Sequence, residues 1–444
     1  MTNNLGLKQL AVDSAFNLGR QLGVIILGLL TSILLARGLG TNDRGVYAIV
    51  VLFPTTLATL FNFGIAPASV YWIAHGDHNL ISSIQGSLIF SLVSSICCLA
   101  AGGLLIHFGH DLLFPYIPSD YLFLGLLFTP IILHRDNLLA IFQGIQNFKA
   151  YNLIGLVPQF VILVLAFILV WECKTGIYGA ILATILGHFC SLAVALYLLW
   201  RKGLQLWPIQ FTRQQARNLL FYGLRGQVSN IIQFLNYRID VFLLNFFANK
   251  TEVGLYDTAV NLVERLWIVS GAVSTVMLPR IASLQNDHDK RKLTPLINRY
   301  VFWLSLFMAA VAYILAEWGI VLLYGTEFRP ATSAFRLLLV GIIMGGISKI
   351  IANDIAGRGK PGINGALALF ALIVNIVANL ILIPVQSYSG AAIASSISYS
   401  ILALTLMVVF CRLSKSPWHE LLVPTKDDFR LWRRGIQWTF SKLL

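Results

Sequence analysis

The chain has 444 residues, 57% of them hydrophobic and only 11% charged, whereas a soluble protein of this size carries roughly a quarter charged residues. Its apolar blocks of about 20 residues suit helices crossing a hydrocarbon core of about 30 Å, and they exclude the shorter alternating strands of a transmembrane barrel. The formal net charge of +13 falls in short loops between those blocks, which points to the positive-inside rule and away from nucleic acid.

The first block, Ala11 to Leu35, is a full span without a cleavage-like site behind a short apolar core, so it is expected to stay as helix one. Asn17, Gln21, Gly28 and Ser32 share one face of it, with Arg20 at the edge. Gly19 and Gly23 form a G-x-x-x-G pair on another face, a spacing that fits close helix packing. Spans are predicted near 11–36, 44–66, 81–107, 120–143, 152–171, 177–200, 221–247, 254–278, 298–323, 333–355, 362–384 and 389–411. His75 and His78, before helix three, read as solvated loop residues rather than metal ligands. Cys97, Cys98, Cys173, Cys190 and Cys411 have no metal-ligand spacing and read as packing residues.

A charge at the bilayer centre costs about 2.5 to 3.5 kcal/mol on insertion scales, so polar residues inside the spans carry the functional information. In helix four Asp136 and Gln143 share a face, and Arg135 stands beside them well inside the span. Helix seven carries Arg225, Ser229, Gln233, Asn236 and Asp240, which at about 100° per residue fall within a sector of about 80°. Such a stripe must line water or protein, because lipid cannot satisfy it. Arg238 points the other way and can snorkel or pair. Helix eight places Asp257, Asn261 and Glu264 at spacings of four and three; Arg265 is next to Glu264 but cannot face it, so each needs a partner elsewhere. Helix ten brings Lys349 and Asp354 toward its end. The clear intramembrane charges are thus Arg20, Arg135, Arg225, Arg238, Arg265 and Lys349 against Asp136, Asp240 and Glu264. The excess is positive and favours an anionic substrate, diphosphate being a group that several Arg or Lys side chains grip well.

After helix twelve, Phe429, Trp432, Ile436, Phe440 and Leu443 fall near helical spacing with Arg430, Arg433 and Arg434 beside them, which describes an amphipathic helix on an anionic leaflet. Basic residues concentrate in the even-numbered connections and the tail, so both termini are expected in the cytoplasm. A duplication is also legible. Gly45-Val46-Tyr47 matches Gly254-Leu255-Tyr256 at an offset of 209, Gly179-Ala180 with Ala183 matches Gly390-Ala391 with Ala394 at 211, and Gly144 matches Gly357 at 213. The expected organisation is an all-α membrane protein of about twelve spans, with six-helix lobes at 1–205 and 206–412 around a central cleft and a tail at 413–444.

Neither a G-x-x-x-x-G-K-[ST] phosphate loop nor H-E-x-x-H or G-x-S-x-G occurs; Gly357-Arg358-Gly359-Lys360 lacks the spacing and the following hydroxyl residue. The connections are also short for a catalytic domain, and no cofactor is expected.

Ala36-Arg37-Gly38-Leu39-Gly40, followed by Arg44-Gly45-Val46-Tyr47, resembles the "ARxLG…GxY" signature of Wzx-type O-antigen and exopolysaccharide flippases, within the multidrug/oligosaccharidyl-lipid/polysaccharide exporter superfamily. Gln143-Gly144 with Phe148, Arg238-x-Asp240 and Gly254-Leu255-Tyr256 are similar to further features of that family, and the likeness covers nearly the whole chain. The related lipid II flippases usually have fourteen spans, and this chain has room for twelve. The resemblance implies an undecaprenyl-diphosphate-linked oligosaccharide carried to the periplasmic leaflet of a bacterial inner membrane by alternating access, with membrane lipids and polysaccharide assembly proteins as other partners. Arg20, Arg135, Arg225, Gln233, Asn236 and Lys349 are then the candidates for holding substrate. Asp136, Asp240, Glu264 and Arg265 are candidates for coupling to protons or sodium or for ion pairs. The alternatives are a cation-coupled multidrug antiporter, against which the basic excess argues, a glycan polymerase or ligase, against which the short outer loops argue, and a non-transporting scaffold, which would not need the helix-seven stripe.

Overall fold

Every regular element among the described residues is helical, as the unbroken apolar blocks require. The computed structural model describes residues 2–75, 80–202, 208–283 and 286–424, with side chains from residue 19 onward apart from several positions between 275 and 290. The amphipathic tail beyond 424, His78 and the side chain of Asn17 lie outside that description.

The helices are α1 (Thr2–Phe61), α2 (Ile65–His75), α3 (Leu80–Leu113), α4 (Ser119–Leu126), α5 (Phe128–Gly144), α6 (Phe148–Ala166), α7 (Gly176–Arg201), α8 (Arg213–Phe247), α9 (Lys250–Val263), α10 (Ile268–Ser283), α11 (Asp287–Tyr324), α12 (Ala331–Gly357), α13 (Pro361–Ser414) and α14 (His419–Leu422). Among the described residues eight stretches are long and apolar enough to cross a membrane. Two of these are double: α1 is kinked at Gly40 (φ 73°) and α13 at Ser387 (φ 49°), so each supplies two spans. The remaining two of the expected twelve are α8 and the α9–α10 rod, which is joined through a tight 3-10 turn at Glu264–Trp267. The first misses the apolar standard because of its polar residues, and the second because its two helices, of 14 and 16 residues, are each too short alone. The polarity of α8 fits a helix that faces water or protein along one side.

The structure adds breaks that the apolar runs conceal. The second span ends at Phe61, turns through Phe63 (φ 54°) and Gly64 (φ 71°), and resumes as α2. The fourth is divided at Leu127, and the fifth closes in a π-helical turn at Phe167–Glu172. A Thr212–Gln215 capping box starts α8, two reciprocal hydrogen bonds worth about 1 kcal/mol.

The duplication is visible in backbone conformation as well as in sequence. Helices α6 and α13 begin 213 residues apart, and each follows a left-handed residue two positions earlier, Gln146 (φ 55°) and Gly359 (φ 80°). Gly176 (φ 61°) before α7 and Ser387 (φ 49°) before the second half of α13 are 211 residues apart. These offsets equal those of the sequence matches, so the two halves turn their chains at equivalent places.

Two compact units emerge: Met1–Thr258 with Ile320–Ala331 and Ile383–Tyr388, and Ala259–Gly319 with Thr332–Leu382 and Ser389–Leu444. Their bounds differ from the sequence halves, because α8 and the first part of α9 pack with the N-terminal helices. In the first unit Ile84, Leu138, Ile141, Phe142 and Ile154 join α3, α5 and α6 in one core; in the second, Ile347, Ile351, Ile355, Leu406 and Phe410 join α12 to α13. Phe108, Trp200, Ile314 and Val385 are among the most exposed large hydrophobic residues, an arrangement suited to lipid.

Candidate functional site

The polar stripe of α8 divides along its length. Arg225, Ser229 and Gln233 are exposed, whereas Asn236 and Asp240 are buried. Asp240 accepts hydrogen bonds from the Tyr256 hydroxyl and from the Val241 amide (2.8 Å). The half nearer the helix start is therefore open, and the deeper half is locked into protein. Phe221, Leu224 and Val228 are exposed on another side of the same helix, so α8 offers an apolar strip to lipid and a polar strip to water. Its remaining side is fixed by Gln227, which donates to the Thr59 carbonyl, and by backbone contact of Gly223 with Gly64.

Arg20 lies over the Tyr151 ring at 5.0 Å, and its Nη1 stands 3.2 Å from where a side chain on Gly155 would begin. A Cβ at 155 would need the Arg20 side chain to shift by a few tenths of an ångström. Its Nε is buried without a hydrogen-bond partner. The G-x-x-x-G pair divides in role: Gly23 meets Leu156, while Gly19 has nothing within 4 Å.

Arg135 is engaged rather than free. It pairs with Asp136 beside it, and its Nη1 lies 2.6 Å from His188 Nδ1 on α7. Arginine only donates, so His188 Nδ1 accepts in this arrangement. In the second unit Lys349 sits 3.8 Å above the Trp267 ring. That ring is held by an indole hydrogen bond to the Ile342 carbonyl (2.8 Å) and lies flat against Gly345. Glu264 and Arg265 flank the tight turn below Trp267, and each is engaged with another group. Lys349, Glu264 and Arg265 thus share one unit, while Arg20, Arg135, Asp136, Arg225, Gln233, Asn236 and Asp240 share the other.

Sequence reading missed a buried ion pair. Arg44, noted only within the family signature, lies 2.9 Å from Asp257 with side chains 6% and 19% exposed, and it also covers the Tyr47 ring at 5.4 Å. Tyr47 bonds Thr184 (2.7 Å) as Tyr256 bonds Asp240, so the duplicated G-x-Y tyrosines each anchor a neighbouring helix. The signal was present: Arg44 precedes one copy of the motif and Asp257 follows the other. The glycines interlock too. A Cβ on Gly45 would collide with the Lys250 carbonyl, and a Cβ on Gly254 with the Thr41 carbonyl.

Residues 11–285 match the family described as "Polysaccharide biosynthesis protein". The chain is 24% identical over 397 residues to a Shigella flexneri protein named "Putative O-antigen transporter", covering 85% of this chain and 92% of that one. It is 23% identical over 196 residues to the "Probable low-salt glycan biosynthesis flippase Agl15" of Haloferax volcanii, a match that spans only 40% of that protein and 42% of this one. In fold it is similar to "Lipid II flippase MurJ, inward closed conformation", with TM-score 0.72 and 18% identity over 92% of this chain and 89% of that one. It is similar also to an inward-facing multidrug resistance MATE family transporter of the MOP superfamily, with TM-score 0.73 and 16% identity over 88% and 94%. Taken with the multi-pass helical fold, the match over more than half of its length means that the chain belongs to the polysaccharide biosynthesis protein family.

Proposed function

We propose that this multi-pass membrane protein is a flippase of polysaccharide biosynthesis, moving an undecaprenyl-diphosphate-linked oligosaccharide from the cytoplasmic to the periplasmic leaflet of a bacterial inner membrane. The reading is carried by one observation: Arg20 and Arg225 stand within membrane-spanning helices, and among the described residues neither has a carboxylate at ion-pair distance. A cation kept in a span without a counter-ion is costly unless water or an anionic guest reaches it. The names of the relatives from Shigella and Haloferax support a glycan-linked guest. Its diphosphate would be held by Arg20 and Arg225, with Lys349 a further candidate cation, while the lobes at 1–205 and 206–412 alternate access. Arg135 would join only after leaving Asp136 and His188.

The test is complementation of a deletion strain. Arg20→Ala and Arg225→Ala are expected to abolish surface polysaccharide and to leave lipid-linked sugar on the cytoplasmic face, at unchanged protein levels. Wild-type glycan from both variants overturns the reading.

A further inference from the structure

We infer that the exposed Tyr222 ring, backed by the Tyr71–His75 stack, forms a sugar subsite beside Arg225, taking the pyranose ring attached directly to the diphosphate; this rests on the flippase reading above. Tyr222 belongs to the polar strip of α8 although it is aromatic. At about 100° per residue it stands in register with Asp240 and within about 60° of Arg225, Ser229, Gln233 and Asn236. The apolar strip of Phe221, Leu224 and Val228 lies to one side, so the 39% exposed Tyr222 ring faces the water side of the helix.

Its partners are built rather than incidental. The Tyr71 ring stacks on Tyr222 with centroids 4.3 Å apart and planes 21° from parallel, and His75 lies against the Tyr71 ring at 4.1 Å. Trp72 meets Tyr222 edge-on at 6.4 Å. The stack is held because the Phe63–Gly64 turn brings α2 into backbone contact with Gly223, over a core of Ile65, Ala68 and Leu219. His75 Nδ1 lies 3.0 Å from the Tyr71 carbonyl, so it donates there and holds the imidazole against the Tyr71 ring.

That combination fits a sugar phosphate. A pyranose has a face of C–H groups that lies on an aromatic ring, here the side of Tyr222 turned away from Tyr71, and a rim of hydroxyls that bonds water and the polar residues of α8. Arg225 is one helical turn, about 5 Å, along α8 from Tyr222, which is the separation between a sugar ring and the phosphate on its anomeric carbon. Glycan lipid and bare carrier lipid would thus be told apart where the substrate meets the basic end of α8.

Undecaprenyl diphosphate, bare or carrying one N-acetylglucosamine, is titrated against the full chain in nanodiscs. Wild type is expected to prefer the sugar-bearing lipid by about fivefold. Tyr222→Leu, which keeps the bulk, should remove that preference without changing affinity for the bare lipid. Tyr222→Phe should retain it, and Arg225→Ala should weaken both lipids. Equal weakening of both lipids by Tyr222→Leu, or a wild type without sugar preference, overturns the subsite while leaving the flippase reading in place. A wild type that binds neither lipid overturns both.

Discussion

Arg44 and Asp257 strip most of the water from each other, and their Coulomb attraction offsets that desolvation only while both are present. Removing one leaves a charge among the buried Val46, Tyr256 and Val260. Arg44→Ala is therefore expected to destabilise the folded protein by about 3 kcal/mol, whereas Arg44→Met with Asp257→Leu costs far less. Thermal unfolding of the purified protein in detergent reads the difference, and equal melting points for the single and double variants would discard the buried-pair account. The same physics limits what was legible at this scale. Charge and helical angle marked Arg20, Arg135 and Arg225 as intramembrane cations, because those depend on local spacing alone. Whether such a cation rests on a ring, as Arg20 does on Tyr151, or donates to an imidazole, as Arg135 does to His188, depends on which helix packs beside it.

The first turns of the second span and of α9 cross so closely that Gly45 and Gly254 each face the carbonyl four residues ahead of the other glycine. Backbone oxygens cannot rotate away as a side chain can. Gly45→Ala and Gly254→Ala should each cost about 1 to 3 kcal/mol, and the double variant less than their sum, because both relieve the clash through one displacement. Gly319→Ala is the control: nothing lies within 4 Å, so the better helix propensity of alanine should leave stability equal or slightly raised. Should all three behave alike in thermal unfolding, the crossing is looser than described. Apolar length located the spans other than α8 and α9–α10, since hydrocarbon thickness sets it. The breaks at Leu127 and Phe167–Glu172 stayed hidden because the flanking sequence is as apolar as the helices it divides. The Phe63–Gly64 turn did carry a glycine as a signal, but it fell at the end of a predicted span and read as a terminus.

Over the whole molecule, the duplicated halves bend at matching places, and a six-helix repeat has an even number of crossings, so both halves share one orientation. Which orientation follows from charge: Arg201, Lys202, Arg213, Arg217, Arg358 and Lys360 belong to one side, while the connection at Glu172–Thr175 holds a single basic residue, Lys174. Cys173 is exposed in that connection, whereas Cys98 is buried and the other three thiols are only partly accessible. The wild-type chain therefore carries its own topological probe. A membrane-impermeant maleimide added to intact spheroplasts is expected to label Cys173, with the signal lost in Cys173→Ser. A cysteine placed by Lys360→Cys in the Cys173→Ser background should react only after lysis, because Lys360 is exposed at the opposite end of its span. The reverse order of labelling would invert the protein in the membrane. The basic end of α8, with Arg225 and the Tyr71–Tyr222 stack, would then open to the periplasm, where it could release a guest but not take one from the cytoplasmic leaflet.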